Sequence, residues 1–355
     1  MLEQLRRGRI SLAPLSLRWL QLNRAEGTIR FDALVEAKWG GQTARFAVEI
    51  KALWTPKAFQ DGINLLKTSS LPKGILPMLF LPFLSEWQLK ELERERISGI
   101  DLCGNGVVIV PGRFAVLRGG NKNLFSSSAP IKNIYRKNSS MVGRIFLASP
   151  LYKTVQELHA EINRRNPLVS RGNKQPMSLA TVSKALKTMA DDLIITRANN
   201  IRLLQADKLL EKLDENYVPP NITARVSLKL PEGSDPVLEL VKQSSSLSMP
   251  VIATGLSSVA QYAVMQREGA LSVYCPSLER LLEQMPGNRT NRFPDLEIIE
   301  TDEERVYFYA REKDNFLWAS PVQAYLELRA GDQRDRETAE QLKSFLLKNL
   351  ERGQE

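Results

Sequence analysis

The stretch from residue 29 to residue 53 admits few folds. It reads IRFDALVEAKW, then Gly40-Gly41, then QTARFAVEIKAL. Apolar and polar residues alternate on both sides of the glycines, which predicts strands over 29–38 and 43–53 joined as an antiparallel hairpin. With Gly40-Gly41 as a two-residue turn, Trp39 faces Gln42 and Asp32 faces Glu49. Side chains alternate along a strand, so Phe31, Ala33, Val35, Phe46, Val48 and Ile50 share one face, suited to a core. The opposite face collects Asp32, Glu49 and Lys51. Directly opposed carboxylates have Cβ atoms about 4.5–5.5 Å apart and repel each other. A divalent cation, the neighbouring lysine or solvent must offset that repulsion. Mg²⁺ takes one or two carboxylates together with phosphate oxygens and water, and a lysine beside it can orient a water or stabilise developing charge. A solvated cluster of surface charges is the plain alternative.

Around the hairpin the pattern is mixed α/β. Leu15, Trp19 and Leu22 form an apolar stripe at helical spacing after Pro14, which predicts a helix in the second half of residues 1–25. A helix over 56–67 opens on Pro56, a strand covers 75–83, and a helix over 85–97 has Ser85 as its cap. Short strands follow in GIDLCGNGVVIVPGRFAVLRG, closing a first domain over residues 1–120. Residues 121–138 are rich in Gly, Asn, Ser and Lys and read as a linker.

From 139 to 217 the pattern changes to SSMVGRIFLAS, TVQELHAEIN with a capping box at Thr154 and Glu157, and MSLATVSKALKTMADD, all helical. A hairpin, LIITRANNIRLL, turns over Asn199-Asn200, residues that tolerate positive φ, and a helix closes the segment. Three helices with a two-stranded wing make a winged helix-turn-helix. In its third helix Leu179, Val182, Leu186 and Met189 point inward. Ser178, Thr181, Ser183, Lys184 and Lys187 point mostly outward, where short hydroxyls and lysines suit base edges and phosphates. Arg171 and Lys174 in the basic loop before it, with Arg197, Asn199 and Arg202 on the wing, complete the expected DNA-binding set. A winged helix used for protein contacts is the alternative.

After Pro219-Pro220, residues 221–355 alternate strands (VSLKL, MPVIAT, LSVYC, LEIIE, RVYFYA) with helices (SSVAQYAVMQR, SLERLLEQM, SPVQAYLELRA, RETAEQLKSFLLKNL), a C-terminal α/β or α+β domain. Thr254-Gly255 and Ser257-Ser258 could cradle an anion at a helix start or simply form a capped turn.

Charge separates these parts. The net charge of +9 comprises +7 over residues 1–130, +7 over 131–217 and −5 over 218–355. A basic front favours a polyanion, most naturally double-stranded DNA. Two distant cysteines, Cys103 and Cys275, exclude a disulfide framework and a Cys-type zinc site, and fit a reducing cytoplasm. One histidine, His159, removes most histidine metal sites and Ser-His catalysis, and is expected to be a packing or surface residue. No targeting segment is evident, and GILPMLFLPFL is too short to span a bilayer, so no membrane partner is expected.

Two resemblances follow. Asp32, Glu49-Ile50-Lys51 and Gln60 on the next helix make residues 1–120 similar to the PD-(D/E)XK restriction-endonuclease-like fold. If the domain is a nuclease, the resemblance implies Asp32, Glu49, Lys51 and Gln60 as the catalytic set, with Asp32 and Glu49 holding Mg²⁺. Together with Asp101, Gly104 and Asn105, the SLATVSKAL helix, and the stretches TGLSSVAQYAV, LSVYCPS and SPVQAYLELRAGDQRDRETAEQL, nearly the whole chain resembles the AbiEi-like transcriptional regulators of type IV toxin–antitoxin systems. That resemblance implies a sequence-specific DNA-binding repressor or antitoxin with a partner toxin of nucleotidyltransferase type; no cofactor is assigned beyond the Mg²⁺ that a nuclease would take. Self-association into a homo-oligomer stays open. The alternative class is a Mg²⁺-dependent DNA endonuclease targeted by its winged helix; the third is a protein-binding adaptor.

Overall fold

The computed structural model describes residues 12–26, 29–125, 133–172, 174–232, 236–244, 249–263 and 269–352. The chain is an α/β protein and divides into two compact units, residues 1–132 and 133–355.

In the first unit seven strands form one mixed sheet in sequence order: β1 (Ser16–Glu26), β2 (Ile29–Trp39), β3 (Gln42–Ile50), β4 (Ile75–Leu81), β5 (Ser98–Asp101), β6 (Gly106–Val110) and β7 (Phe114–Arg118). β3, β4 and β5 run parallel; the other neighbours are antiparallel. Helix α1 (Pro56–Thr68) connects β3 to β4, and α2 (Glu86–Arg94) connects β4 to β5. Phe59, Ile63 and Leu66 of α1 and Leu89 and Leu92 of α2 bury against Leu79, Leu81 and Val107. The other face curls around a core of Ala33, Val35, Phe46, Val48, Met78, Phe80, Ile100, Val108 and Phe114, with Leu12 and Leu15 packed into it.

The hairpin has the register read from the sequence, with Trp39 opposite Gln42 and Ala33 opposite Val48. Gly40 and Gly41 have φ of 54° and 80°, the left-handed pair that such a turn requires. Phe31 departs from the expected face. It packs with Leu34 and Ala47, not with Ala33 and Val35, because the regular pairing of β2 with β3 ends at Ala33.

The helix expected before the hairpin is instead strand β1. Trp19 pairs with Val35 and Leu22 with Ala33, a three-residue step matched to a two-residue one by a bulge between Trp19 and Gln21. The extra residue turns an alternating pattern into the spacing of a helix face.

The second unit begins with a helical module. The segment expected as one helix, SSMVGRIFLAS, is α3 (Met141–Arg144) flanked by 3₁₀ turns at Lys137–Ser140 and Ile145–Leu147. α4 (Val155–Arg164), a short α5 (Pro167–Ser170) inside the basic loop, α6 (Leu179–Asp191) and α7 (Ala206–Glu215) follow. β8 (Leu151–Tyr152), β9 (Ile195–Thr196) and β10 (Ile201–Leu203) make a three-stranded sheet in the order β8-β10-β9. The β9–β10 connection pairs Thr196 with Arg202 and has no positive φ at Asn199 or Asn200. It is longer than a two-residue turn and needs no left-handed pair.

The remaining sheet orders its strands as β14-β11-β15-β13-β12-β17-β16, from β11 (Ala224–Lys229), β12 (Ile252–Ala253), β13 (Leu271–Cys275), β14 (Asn288–Arg289), β15 (Leu296–Glu300), β16 (Arg311–Lys313) and β17 (Phe316–Trp318). Its helices are α8 (Val237–Ser244), α9 (Gly255–Ser258), α10 (Leu278–Leu282), α11 (Glu304–Tyr307), α12 (Pro321–Arg329) and α13 (Gln333–Arg352). α9 and a 3₁₀ turn at Val259–Gln261 stand where a longer helix was expected; the end of that stretch, residues 264–267, lies outside those described. RVYFYA, expected as a strand, contains the helical turn α11. Its β-prone composition yields to Arg305, whose buried guanidinium reaches Glu303 and the carbonyls of Val218 and Pro219, and to Tyr307, whose hydroxyl bonds the Thr301 carbonyl. Among the described residues no helix is long and apolar enough to cross a membrane.

Arg96 closes α2 in a left-handed conformation, φ 55°, while the N–H of Ile97 reaches the Leu92 carbonyl. It is exposed. Glycine has no Cβ penalty there. Arg96→Gly is therefore expected to raise the stability of the first unit by about 1 kcal/mol in denaturant unfolding; a loss would show that Arg96 makes a contact worth more than its strain.

Candidate functional site

In the first unit the hairpin acids sit where β3 leaves β2 and continues beside β4. Glu49 is level with Leu79, and the Lys51 N–H bonds the Phe80 carbonyl. At the point of departure an Asp32 oxygen accepts the N–H of Ile50 at 2.8 Å, taking over from the strand ladder. Lys51 Nζ donates to Glu49 Oε1 at 2.7 Å, and this pair is mostly shielded, with side chains 25% and 12% exposed. The lysine stem runs beside α1 at Gly62, where an added Cβ would lie 3.4 Å from Lys51 Cε and 2.5 Å from a Leu79 methyl. Gly62 thus lets α1 lie close against this end of the sheet. Gln60 on the same helix bonds Asn64, not the acids. The structure pairs Glu49 with Lys51 and sets Asp32 on the intervening Ile50 N–H, but Asp32 does not face Glu49 as expected, because the β2–β3 ladder ends at Ala33 and Val48. Among the described residues no group of three or more His, Cys, Asp or Glu side chains is placed to hold a metal ion.

The D-x-x-G-N turn is a structural knot. Asp101 is buried, and its two oxygens accept the N–H groups of Leu84, Cys103 and Asn105 and the Asn105 amide. Asn105 in turn pairs with both backbone groups of Asn121.

In the second unit α6 presents the charged face. Val182, Ala185, Leu186 and Met189 are buried. Leu179 is 41% exposed and lies off the inward stripe on which it was expected, because it opens the helix one turn before the packed region. Ser178 is the N-cap: its Oγ accepts the Thr181 N–H at 3.2 Å and lies 2.9 Å from the Thr181 hydroxyl. Both hydroxyls are thus committed to the cap. Thr181 and Ser183 are half-buried, whereas Lys184 and Lys187 are exposed and, among the described residues, have no ion-pair partner. Arg171, Arg197, Asn199 and Arg202 are likewise exposed and, among the described residues, unpaired. Lys174 is engaged, its Nζ 2.5 Å from Asp302.

What sequence reasoning missed is how α6 is held. Asn163 on α4 takes both backbone groups of Met177, its carbonyl accepting the N–H at 2.8 Å and its amide reaching the C=O at 3.3 Å. His159 Nε2 lies 2.8 Å from the same carbonyl. His159 is thus a positioning residue one helical turn from Asn163, the i, i+4 spacing that puts both on one face.

A buried polar line follows. Arg144 on α3 donates to Gln323 Oε1 at 2.7 Å and to the Arg305 carbonyl at 3.0 Å; Gln323 Nε2 donates to Glu327 Oε1 at 2.8 Å. Burial pulls the Arg144 guanidinium down to about 10 and pushes the Glu327 carboxyl above its ordinary value. Glu327 also receives the Tyr274 hydroxyl and the N–H groups of Gly255 and Leu256. The turn read as an anion cradle is therefore filled by the protein's own carboxylate, and an added Cβ on Gly255 would lie 2.7 Å from Glu327 Cδ.

No family model matches the chain, and neither a curated protein nor a solved structure matches it significantly.

The Asp32 contact yields a test. Asp32→Ala strands the Ile50 N–H, and an orphaned, partly buried donor costs about 1–3 kcal/mol. Denaturant unfolding of the variant should show that loss; an unchanged midpoint would mean that the carboxylate only decorates the surface.

Proposed function

We propose that this chain is a sequence-specific DNA-binding transcriptional regulator, the repressor or antitoxin of a type IV toxin–antitoxin-like system. The observation that carries the reading is the open basic face of the helical module: Lys184 and Lys187 on α6, with Arg197 and Arg202 on the β9–β10 hairpin, exposed and with no carboxylate partner among the described residues. In this reading the module is a winged helix whose α6 enters the major groove and whose hairpin lies along the backbone. Unpaired cations on a rigid helix and wing need not give up an internal partner to meet phosphate. Segment 131–206 carries 13 basic against 4 acidic residues, which supports a polyanionic partner. Thr181 and Ser183 lie beside the two lysines, while Lys174 must exchange Asp302 for phosphate if it contributes. A toxin of nucleotidyltransferase type is the proposed protein partner, on the resemblance alone.

A second reading keeps its own observation. At one end of the mixed sheet Glu49 pairs with Lys51 and Asp32 holds the Ile50 N–H between them, the residue types of a restriction-endonuclease-like site. Two carboxylates fit Mg²⁺ with water and phosphate as further ligands. Bound there, the ion would supply charge stabilisation at a scissile phosphate. The residues fit that role only if Glu49 exchanges Lys51 for the ion, and Gln60 turns from Asn64. The regulator reading needs no such rearrangement and is preferred.

The test is fluorescence anisotropy with the DNA upstream of the chain's own coding sequence. Lys184→Glu should lower affinity at least about tenfold at matched salt, and Arg197→Ala and Arg202→Ala should each reduce the slope of log K against log salt by about 1. Wild-type affinity in Lys184→Glu would remove α6 from the interface.

A further inference from the structure

The large sheet of the second unit is covered differently on its two faces. On one, Leu228, Ala253, Val273, Cys275, Leu296 and Ile298 lie beneath Val241 of α8 and Leu278 and Leu281 of α10. On the other, Tyr274 and Ile299 are buried with Leu168, Val306 and Tyr307. Toward β11 that second face turns polar. Arg225 is in register with Ile299, and Ser272 with Glu297, so side-chain alternation places these polar residues on the face of Tyr274 and Ile299. They floor a cleft of about 490 Å³.

The cleft is lined by both charged and apolar groups. Arg225 Nη1 stands 3.3 Å from Glu297 Oε1, a loose pair whose arginine is 53% exposed. Ser272 Oγ donates to the other Glu297 oxygen at 2.9 Å and fixes that carboxylate. Leu256 and Val259 also line the cleft. Tyr274 closes the back through its bond to Glu327.

This arrangement restricts what can bind. A simple anion would take Arg225 and be left beside Glu297; a simple cation would take Glu297 and be left beside Arg225. Either breaks the ion pair and sets the ligand beside a charge of its own sign. A ligand bearing both charges on neighbouring atoms replaces the loose pair with two charge-assisted contacts. A carboxylate also matches the guanidinium fork. We propose that the cleft binds a small zwitterion of the α-amino-acid class with an apolar side group. Its carboxylate lies on Arg225, its ammonium on Glu297, and its side group against Leu256 and Val259. The cleft volume lies within the range of small-molecule sites. The inference is independent of DNA binding.

The test is calorimetric titration of the full chain with L-leucine, 4-methylpentanoate and 3-methylbutylamine, which share a branched side group and carry both charges, the negative one and the positive one. L-leucine should bind saturably with a Kd of about 1 mM or tighter, and each half-charged analogue at least about tenfold more weakly. Arg225→Ala and Glu297→Gln should each weaken L-leucine about tenfold in protein with a wild-type thermal melt. The comparison of the three ligands on wild-type protein does not depend on either variant folding. No saturable heat from L-leucine up to about 20 mM would overturn the proposal. So would 4-methylpentanoate or 3-methylbutylamine binding as tightly as L-leucine, because the site would then read a single charge.

Discussion

Asn163 takes both backbone groups of Met177, and the placement of α6 depends on it. A helix start leaves N–H groups without intrahelical partners, and a loop leading into it is free to swing unless its own polar groups are held. Here Ser178 caps the helix, and Asn163 with His159 ties the preceding residue to α4. Buried Val182, Leu186 and Met189 then fix the rotation of α6, so that Lys184 and Lys187 stay in solvent. The charged face owes its direction to an amide–backbone contact and an apolar stripe, not to the lysines themselves.

The same device recurs where other elements end. Asp32 accepts an amide at the parting of β2 and β3, Asp101 collects three N–H groups after β5, and Glu327 caps α9. Each carboxylate would draw attention as a candidate for chemistry, and each is partnered by the chain itself. For Asp101 and Glu327, which are buried and bonded from several sides, an architectural role accounts for the whole environment. Asp32 and Glu49 differ in lying only partly buried, Glu49 beside a lysine.

The elements that were legible from sequence are those fixed locally. Gly40-Gly41 and strict alternation set the hairpin register without help from the rest of the fold. Pro56 and Ser85 marked helix starts because an N1 proline and a hydroxyl cap act within one turn. What was not legible depended on distant partners or on a change of phase. The bulge after Trp19 gave a strand the spacing of a helix. Arg305 pulled a β-prone run into a helical turn by bonding carbonyls 86 and 87 residues away. In the candidate sites, residue types and faces could be read in part, since Glu49 and Lys51 pair and the two lysines of α6 are exposed. Partners could not: Gln60 turned to Asn64, Lys174 to Asp302, and Ser178 to its own helix.

The regulator and nuclease readings diverge on one observable. Plasmid DNA carrying the upstream region, incubated with the pure chain with and without Mg²⁺ or Mn²⁺, can be run in parallel as a mobility-shift and a cleavage gel. A regulator gives a shifted band in every lane, weakening steeply with salt, and intact plasmid throughout. Metal-dependent strand loss that disappears in Glu49→Ala would contradict it and make the hairpin end of the first sheet the working site.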